Sequence, residues 1–96
     1  MKLRLASPAE REPKEALEFY ESARKGLGSD FPAEVETAIR LIESHPLAWA
    51  PMSQRTRRCR LHHFPFGLFY QVRADEILII SVMDLRRDPK RWEQYL

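Results

Sequence analysis

The sequence has one cysteine, Cys59, and no long apolar run. A lone cysteine excludes an internal disulfide, which is typical of proteins from reducing compartments. A membrane-spanning helix needs about 18 or more apolar residues, and the opening MKLRLASPAE forms no apolar signal core. The chain also lacks internal repeats and low-complexity segments. These absences predict a cytoplasmic protein without a membrane segment.

The remaining composition is that of a folded protein with unevenly placed charge. Ninety-six residues with 44% hydrophobic content predict a single domain over residues 1–96. The net charge of +2 combines 16 basic and 14 acidic residues. Glutamate dominates residues 10–43, whereas arginine dominates residues 55–60 and 86–91. This asymmetry can direct one face of the protein toward nucleic acid or an acidic partner.

The first helical segment has four apolar residues on one face. They are Ala16, Tyr20, Ala23 and Leu27. Ser7 followed by Pro8 is a typical helix start. Pro13 removes a backbone hydrogen bond from a helix interior at a cost of about 3 kcal/mol, so we expect a kink there or a start near Glu12.

The second helical segment follows a short glycine-containing link. Its apolar positions are Val35, Ala38, Ile39 and Ile42. Ser29 or Asp30 is the expected cap, and Pro46 ends the helix. The short link predicts an antiparallel helix hairpin. The glutamates expected on its solvated face are Glu34, Glu36 and Glu43.

Four segments have the spacing of β-strands, at residues 2–6, 58–62, 67–73 and 77–84. The last strand is apolar on both faces, which is typical of a central strand covered on both sides. We therefore expect an α+β fold in which a two-helix hairpin packs on a mainly antiparallel four-stranded sheet, in the order β-α-α-β-β-β. C-terminal residues or another protein would cover the second face. The loop at 47–56 is expected to pack through Trp49 or to serve a partner.

A row of cations is the most suggestive feature of the predicted sheet. Arg58, Arg60 and His62 occur at a spacing of two, which places them on one face of a strand. Such a row can hold successive phosphates or stabilise the developing charge of RNA cleavage. It can equally be the charged surface that protects an edge strand from pairing. His62 is a candidate general base, because the ordinary pKa of histidine is about 6.5.

Residues near and after the last strand are candidate contacts for a partner. Arg86 and Arg87 would lie at the end of that strand, and Trp92 would anchor the C-terminal residues to the sheet. Phe69 lies on the opposite face from Leu68, where an exposed aromatic ring would suggest a docking site. These positions predict a contact surface.

Cys59 and His62 also raise the possibility of a zinc site or a thiol catalyst. They face opposite ways on a strand, which prevents joint ligation and a hydrogen bond between nucleophile and base. We expect Cys59 to be a small core residue. The sequence therefore predicts no metal and no cofactor.

Several motifs in this order resemble the RelE/ParE family of bacterial type II toxins. They are Ala16-Leu17-x-Phe19-Tyr20, Gly26-Leu27-Gly28-x-x-Phe31, Phe64-Pro65-Phe66-x-Leu68-x-Tyr70 and Arg86-Arg87-x-Pro89-x-x-Trp92. The resemblance implies a co-encoded antitoxin that wraps and neutralises the toxin as a hetero-oligomer. An antitoxin segment would cover Phe69 and the second face of the central strand. RelE-like members cleave messenger RNA on the ribosome, whereas ParE-like members bind and block DNA gyrase.

The ribonuclease pattern of that family is only partly present. Arg58 and Arg60 match its paired basic residues on the second strand. Gly67 stands where those members carry an arginine at the start of the third strand. Leu85, with Arg86 beside it, stands where another arginine follows the last strand. Arg91 or Trp92 falls at the position of a catalytic tyrosine or histidine, and some members have histidine at the position of Asp84.

These departures favour a ParE-like, plasmid-stabilisation type of toxin that inhibits growth by binding DNA gyrase. The alternative is a ribosome-dependent endoribonuclease in which Arg58, Arg60 and Arg86 contact phosphate and His62 acts as base. A third possibility is an inert relative that only binds its antitoxin. The candidate contacts for target or antitoxin are Phe69, Arg86, Arg87 and Trp92.

Overall fold

The computed structural model describes residues 2–86 and 90–94, apart from the side chains of residues 27, 91 and 92. The elements are β1 Lys2–Leu5, α1 Ser7–Ala23, α2 Leu27–Ser44, β2 Thr56–Arg60, β3 Phe66–Val72, β4 Glu76–Asp84 and α3 Lys90–Glu93. The predicted order β-α-α-β-β-β is confirmed, and α3 follows it. In this part of the chain no helix is both long enough and apolar enough to cross a membrane.

The four strands form one sheet in the order β1-β4-β3-β2. β1 runs parallel to β4, and the β4–β3 and β3–β2 pairs are antiparallel. The predictions of a mainly antiparallel sheet and of a central position for β4 are therefore confirmed. β2 is an edge strand and ends at Arg60, two residues earlier than predicted. Near its start the outer edge is bridged by Pro51, which pairs with Arg57.

Helix α1 continues through Pro13, so the alternative start near Glu12 is wrong. Tertiary contacts offset the hydrogen bond that proline removes. Ala9 and Ala16 are buried against the core. The Glu12 carboxylate accepts hydrogen bonds from the Ser81 hydroxyl at 2.9 Å and from the Val82 amide at 3.1 Å. Burial raises the pKa of Glu12 despite these bonds. The residue before the proline thus ties α1 directly to β4.

Helix α2 begins at Leu27 and its N-cap is Gly26, three to four residues before the predicted caps Ser29 and Asp30. Gly26 has a φ of 90°, a left-handed conformation that glycine adopts without a steric penalty. The Glu21 carboxylate on α1 accepts hydrogen bonds from the backbone amides of Gly26 and Gly28. A negative side chain from the preceding helix therefore satisfies the start of α2, where amides are unpaired and the dipole is positive.

Aromatic rings fill the space between the helix hairpin and the sheet. Phe31 on α2 is fully buried and lies 5.0 Å from Phe64 and 4.9 Å from Phe66 between ring centroids. Tyr20 on α1 completes the cluster, 5.6 Å from Phe31. Edge-to-face pairs of this kind add to the stability gained by burying apolar area. The cluster joins both helices to the start of β3.

Trp49 fastens the long loop to the sheet, as one of the two sequence interpretations predicted. Its ring lies 6.4 Å from that of Tyr70 in an edge-to-face arrangement. The Tyr70 hydroxyl donates a 2.7 Å hydrogen bond to the carbonyl of Pro46. Burial raises the pKa of Tyr70 to about 12. The loop is therefore packed at its beginning, where it leaves α2.

Apolar sheet residues beyond the main core are also buried within this chain. Phe69 is 0% exposed, and Leu78 and Met83 are 8% exposed. All three are separate from the main core cluster. The prediction that Phe69 is an exposed docking aromatic is wrong, because a period-two pattern identifies a face without indicating what covers it.

Candidate functional site

Arg58 and Arg60 lie on the same face of β2, as predicted. Arg58 pairs with Phe69 and Arg60 pairs with Gly67 on β3, whereas the intervening Cys59 points into the core opposite Leu68. Arg58 is partly buried and Arg60 is exposed. Neighbouring cations on an edge strand can contact an anion or discourage pairing with another sheet.

His62 lies outside β2, so the prediction that it extends the strand row is wrong. The Leu61 amide makes a 2.9 Å hydrogen bond to Phe66, but the next two amides turn away from the sheet. Both His62 and His63 donate their backbone amides to Oε1 of Glu34 on α2. The Glu34 carboxylate therefore binds the two backbone amides that would otherwise be available to continue β2.

Glu34 also contacts the His63 ring, with 2.9 Å between Oε2 and Nδ1. The Glu34 side chain is only 17% exposed, so its expected place on a solvated face is wrong. The sequence contained a signal for this position, since Glu34 is three residues after Phe31 and four before Ala38. Both neighbours are buried, and residues at these spacings share a helix face.

Burial disfavours the charged form of Glu34, but hydrogen bonds from His63 and His62 outweigh it and lower its pKa. The folded protein therefore binds this proton less readily than the unfolded chain does. Its stabilising contribution is complete above the ordinary range of glutamate, about pH 4.3. It is lost as the pH falls from there through the lowered pKa.

Glu34→Gln should lower the free energy of unfolding by about 1–2 kcal/mol at neutral pH, because charged acceptors make stronger hydrogen bonds. Urea unfolding at several pH values measures this difference, which should shrink in acid as wild-type Glu34 becomes protonated. Glu36→Gln is the matched control, because Glu36 is 63% exposed in a surface pair with Arg40. Equal losses in the two variants would contradict the role assigned to Glu34.

Gly67 occupies a tightly filled position beside the arginine pair. A Cβ atom at Gly67 would lie 3.1 Å from Cγ and 3.2 Å from Cδ of Arg58. It would also lie 3.2 Å from Cδ1 of Leu85. The aliphatic stem of Arg58 and the Leu85 side chain thus take up the space that a larger residue would need. Both positions where the ribonuclease pattern carries arginine, 67 and 85, are apolar and adjoin each other.

Arg86 lies just after β4, at the same end of the sheet as Arg60 and Gly67. Its guanidinium is held by the Asp84 carboxylate, with Nε to Oδ1 at 3.1 Å and Nη2 to Oδ2 at 2.9 Å. Hydrogen bonding and charge attraction to Asp84 raise the pKa of Arg86. The arginine is 63% exposed on its side chain, but its charge is largely balanced by Asp84.

The remaining predicted residues divide into core and terminal positions. Cys59 is buried, as predicted, and burial raises its pKa to about 11, which keeps the thiol protonated. Among the described residues no group of three metal-ligating side chains occurs. Arg87 and the side chain of Trp92 lie outside the described part of the protein, so their predicted contacts stay predictions.

The family model of the ParE toxin of type II toxin-antitoxin systems, parDE, matches residues 3–89. The chain therefore belongs to the ParE toxin family, and the resemblance to RelE/ParE toxins is confirmed. Membership in a type II toxin family implies an antitoxin partner.

A solved structure described as the chromosomal ParDE TA system from P. aeruginosa has the same fold. It superposes with a TM-score of 0.78, covering 88% of this chain and 96% of that chain at 15% sequence identity. Among curated proteins, none matches the chain.

Proposed function

We propose that this protein inhibits growth by binding DNA gyrase and that a cognate antitoxin neutralises it. The filled site at Gly67 carries the proposal. A ribonuclease needs cations directed at the scissile phosphate, and removing one such group typically costs about 10²-fold or more in rate. Here position 67 is glycine, and the Arg58 stem and Leu85 lie 3.1–3.2 Å from where its Cβ would be. Inhibition by binding requires no catalytic group.

Because Phe69 is buried, we propose that the antitoxin contacts a different surface, one that is exposed in the free chain. A cleft of about 360 Å³ lies between α2 and the outer edge of β2. Leu41 is 46% exposed and lines this cleft, and Trp49 and Met52 also contribute to it. An edge strand beside an apolar cleft suits an antitoxin segment that adds backbone hydrogen bonds and buries apolar side chains. The resulting complex would be a hetero-oligomer.

Arg86, Arg87 and Trp92 remain the proposed contacts for gyrase. Arg86 lies at the open end of the sheet and already holds its guanidinium in a fixed orientation through Asp84. A preorganised side chain loses less conformational freedom on binding. A gyrase target places the protein in the cytoplasm, consistent with a role in plasmid stabilisation.

A supercoiling assay with purified gyrase, relaxed plasmid and ATP tests this proposal. Increasing amounts of the toxin should abolish supercoiling, and the protein encoded by the adjacent reading frame should restore it. Arg86→Gln should weaken inhibition at least several-fold. Arg40→Gln is the matched control, since Arg40 is also an exposed arginine paired with a carboxylate, on α2.

Undiminished supercoiling at large molar excess of toxin would overturn the gyrase proposal. Inhibition that Arg86→Gln and Arg40→Gln weaken equally would remove the specific contact assigned to Arg86. Overexpression without growth arrest would instead favour an inert relative that only binds its antitoxin.

A ribosome-dependent endoribonuclease is the second candidate, supported by the position of Arg58 and Arg60 on one face. In that function the arginine pair and Arg86 would contact phosphate, and exposed His62 would act as base. Mapping messenger RNA ends on ribosomes during growth arrest separates the two candidates. Cleavage that Arg60→Ala removes would favour the ribonuclease, whereas intact transcripts would exclude it.

A further inference from the structure

A polar bay lies at the end of the sheet where β2 begins and β3 ends, beside the long loop. Its volume is about 510 Å³. The polar side chains that line it are Ser53, Gln54, Arg55, Arg57, Gln71 and Arg73. This bay is distinct from the cleft beside Leu41 and from Arg86, so no function assigned above uses it.

Neutral groups position two of the three arginines in the bay. Arg57 donates a hydrogen bond from Nη1 to the backbone carbonyl of Trp49. Arg73 donates from Nη2 to Oε1 of Gln71 at 3.2 Å, and the Gln71 amide donates to the Thr56 hydroxyl. Carbonyl and amide acceptors fix a guanidinium in place without cancelling its charge. The bay therefore has preorganised donors that are still positively charged.

The charge of the bay is poorly balanced. None of the described residues that line it is acidic, and no carboxylate in the described part of the chain pairs with Arg55 or Arg57. Arg73 does contact Glu76, at 3.4 Å between Nη1 and Oε1, and Glu76 also pairs with Arg4. Thus three arginines face one bay, and the carboxylate that pairs with Arg73 is shared with a cation outside it. An anion would complete this arrangement.

We propose that this bay binds phosphate groups of a nucleic-acid backbone. Guanidinium groups match phosphate geometry with paired hydrogen bonds, and serine and glutamine side chains are frequent additional contacts to phosphate. The described residues lining the bay include no aromatic ring, the kind of anchor that protein-binding hot spots favour.

Fluorescence anisotropy with a short labelled DNA duplex of mixed sequence tests the proposal on the full chain, without gyrase or antitoxin. A single-stranded RNA of the same sequence forms a second arm and shows which nucleic acid the bay prefers. The variant Arg55→Gln, Arg57→Gln, Arg73→Gln should weaken binding at least tenfold at low salt. The dependence of log K on log salt should flatten by about 0.9 for each duplex phosphate that the variant no longer neutralises.

The control variant Arg11→Gln, Arg24→Gln, Arg40→Gln removes the same number of charges from the helix hairpin and should retain most of the affinity. The single variant Arg55→Gln should not change the stability of the fold. Arg55 is exposed, and its side chain has no hydrogen bond among the described residues. This variant should weaken binding several-fold.

Equal reductions of affinity in the two triple variants would overturn the proposal, because they would show that binding depends only on the net charge of the protein. Binding to polyglutamate but to neither nucleic acid would overturn it in favour of an acidic protein partner. Weaker binding confined to the bay variants, with an unchanged thermal unfolding midpoint for Arg55→Gln, would support it. Failure of gyrase inhibition would not affect this result, because the binding assay contains no gyrase.

Discussion

Replacing Phe31 with alanine should lower the free energy of unfolding by about 3–5 kcal/mol, the usual cost of deleting a buried aromatic ring. Phe31 is 0% exposed and contacts the rings of Tyr20, Phe64 and Phe66. The substitution removes apolar burial and leaves a cavity between both helices and β3. A domain of this size has a total stability of about 5–15 kcal/mol, so the variant would approach the unfolding threshold.

Urea and thermal unfolding measure this effect, and each kcal/mol corresponds to roughly 4–8 °C in Tm for a domain of this size. Phe19→Ala is the matched control, because Phe19 is the same residue type on α1 but 63% exposed. Its effect should stay below about 1 kcal/mol. Similar destabilisation by Phe19→Ala and Phe31→Ala would show that the aromatic cluster is not the centre of stability.

Gly67→Arg should lower the free energy of unfolding by about 1–3 kcal/mol, the typical cost of overpacking. The new Cβ would already lie 3.1–3.2 Å from the Arg58 stem and from Leu85. The Arg58 stem or the Leu85 side chain would have to shift by a few tenths of an ångström to admit it. This replacement restores the residue type of the ribonuclease pattern, yet we expect no messenger RNA cleavage, because Leu85 and the Arg91 or Trp92 position still depart from that pattern.

A double-mutant cycle with Arg58→Ala isolates the clash at Gly67. Removing the Arg58 stem should relieve part of the cost of Gly67→Arg, giving a coupling of about 0.5–3 kcal/mol. Gly67→Ala should cost less than Gly67→Arg, since the flexible Arg58 stem can shift by a few tenths of an ångström. Additive effects, or a fully stable Gly67→Arg that cleaves messenger RNA, would contradict the assignment of this site.

Local patterns predicted most of the architecture. The helical spacing of Val35, Ala38 and Ile42 identified the buried face of α2, and all three are 6% exposed or less. The turn at Phe64-Pro65-Phe66 separated β2 from β3 correctly, and the family motifs indicated the element order that the structure has. These predictions succeeded because apolar periodicity and turn chemistry operate over a few neighbouring residues.

Long-range contacts account for the predictions that failed. Glu34 and His63 are 29 positions apart, and their interaction ends β2 before His62. Helix α1 starts at Ser7 and not near Glu12, and the Glu12 carboxylate contacts β4 about 70 residues away in sequence. Neither contact leaves a periodic pattern in the sequence around His62 or Pro13. The one partial indication was the spacing of Glu34 on α2, which places it on the same helix face as buried residues.

By itself, the sequence determined the toxin family, the succession of helices and strands, and the pair of cations at Arg58 and Arg60, because these follow from short motifs and alternation. Only the tertiary structure decided that Phe69 is covered, that Gly67 is filled by Arg58 and Leu85, and that Arg55, Arg57 and Arg73 meet in one bay. Such features depend on which strands pair and in which register, which is set by packing across the whole chain and not by any single segment.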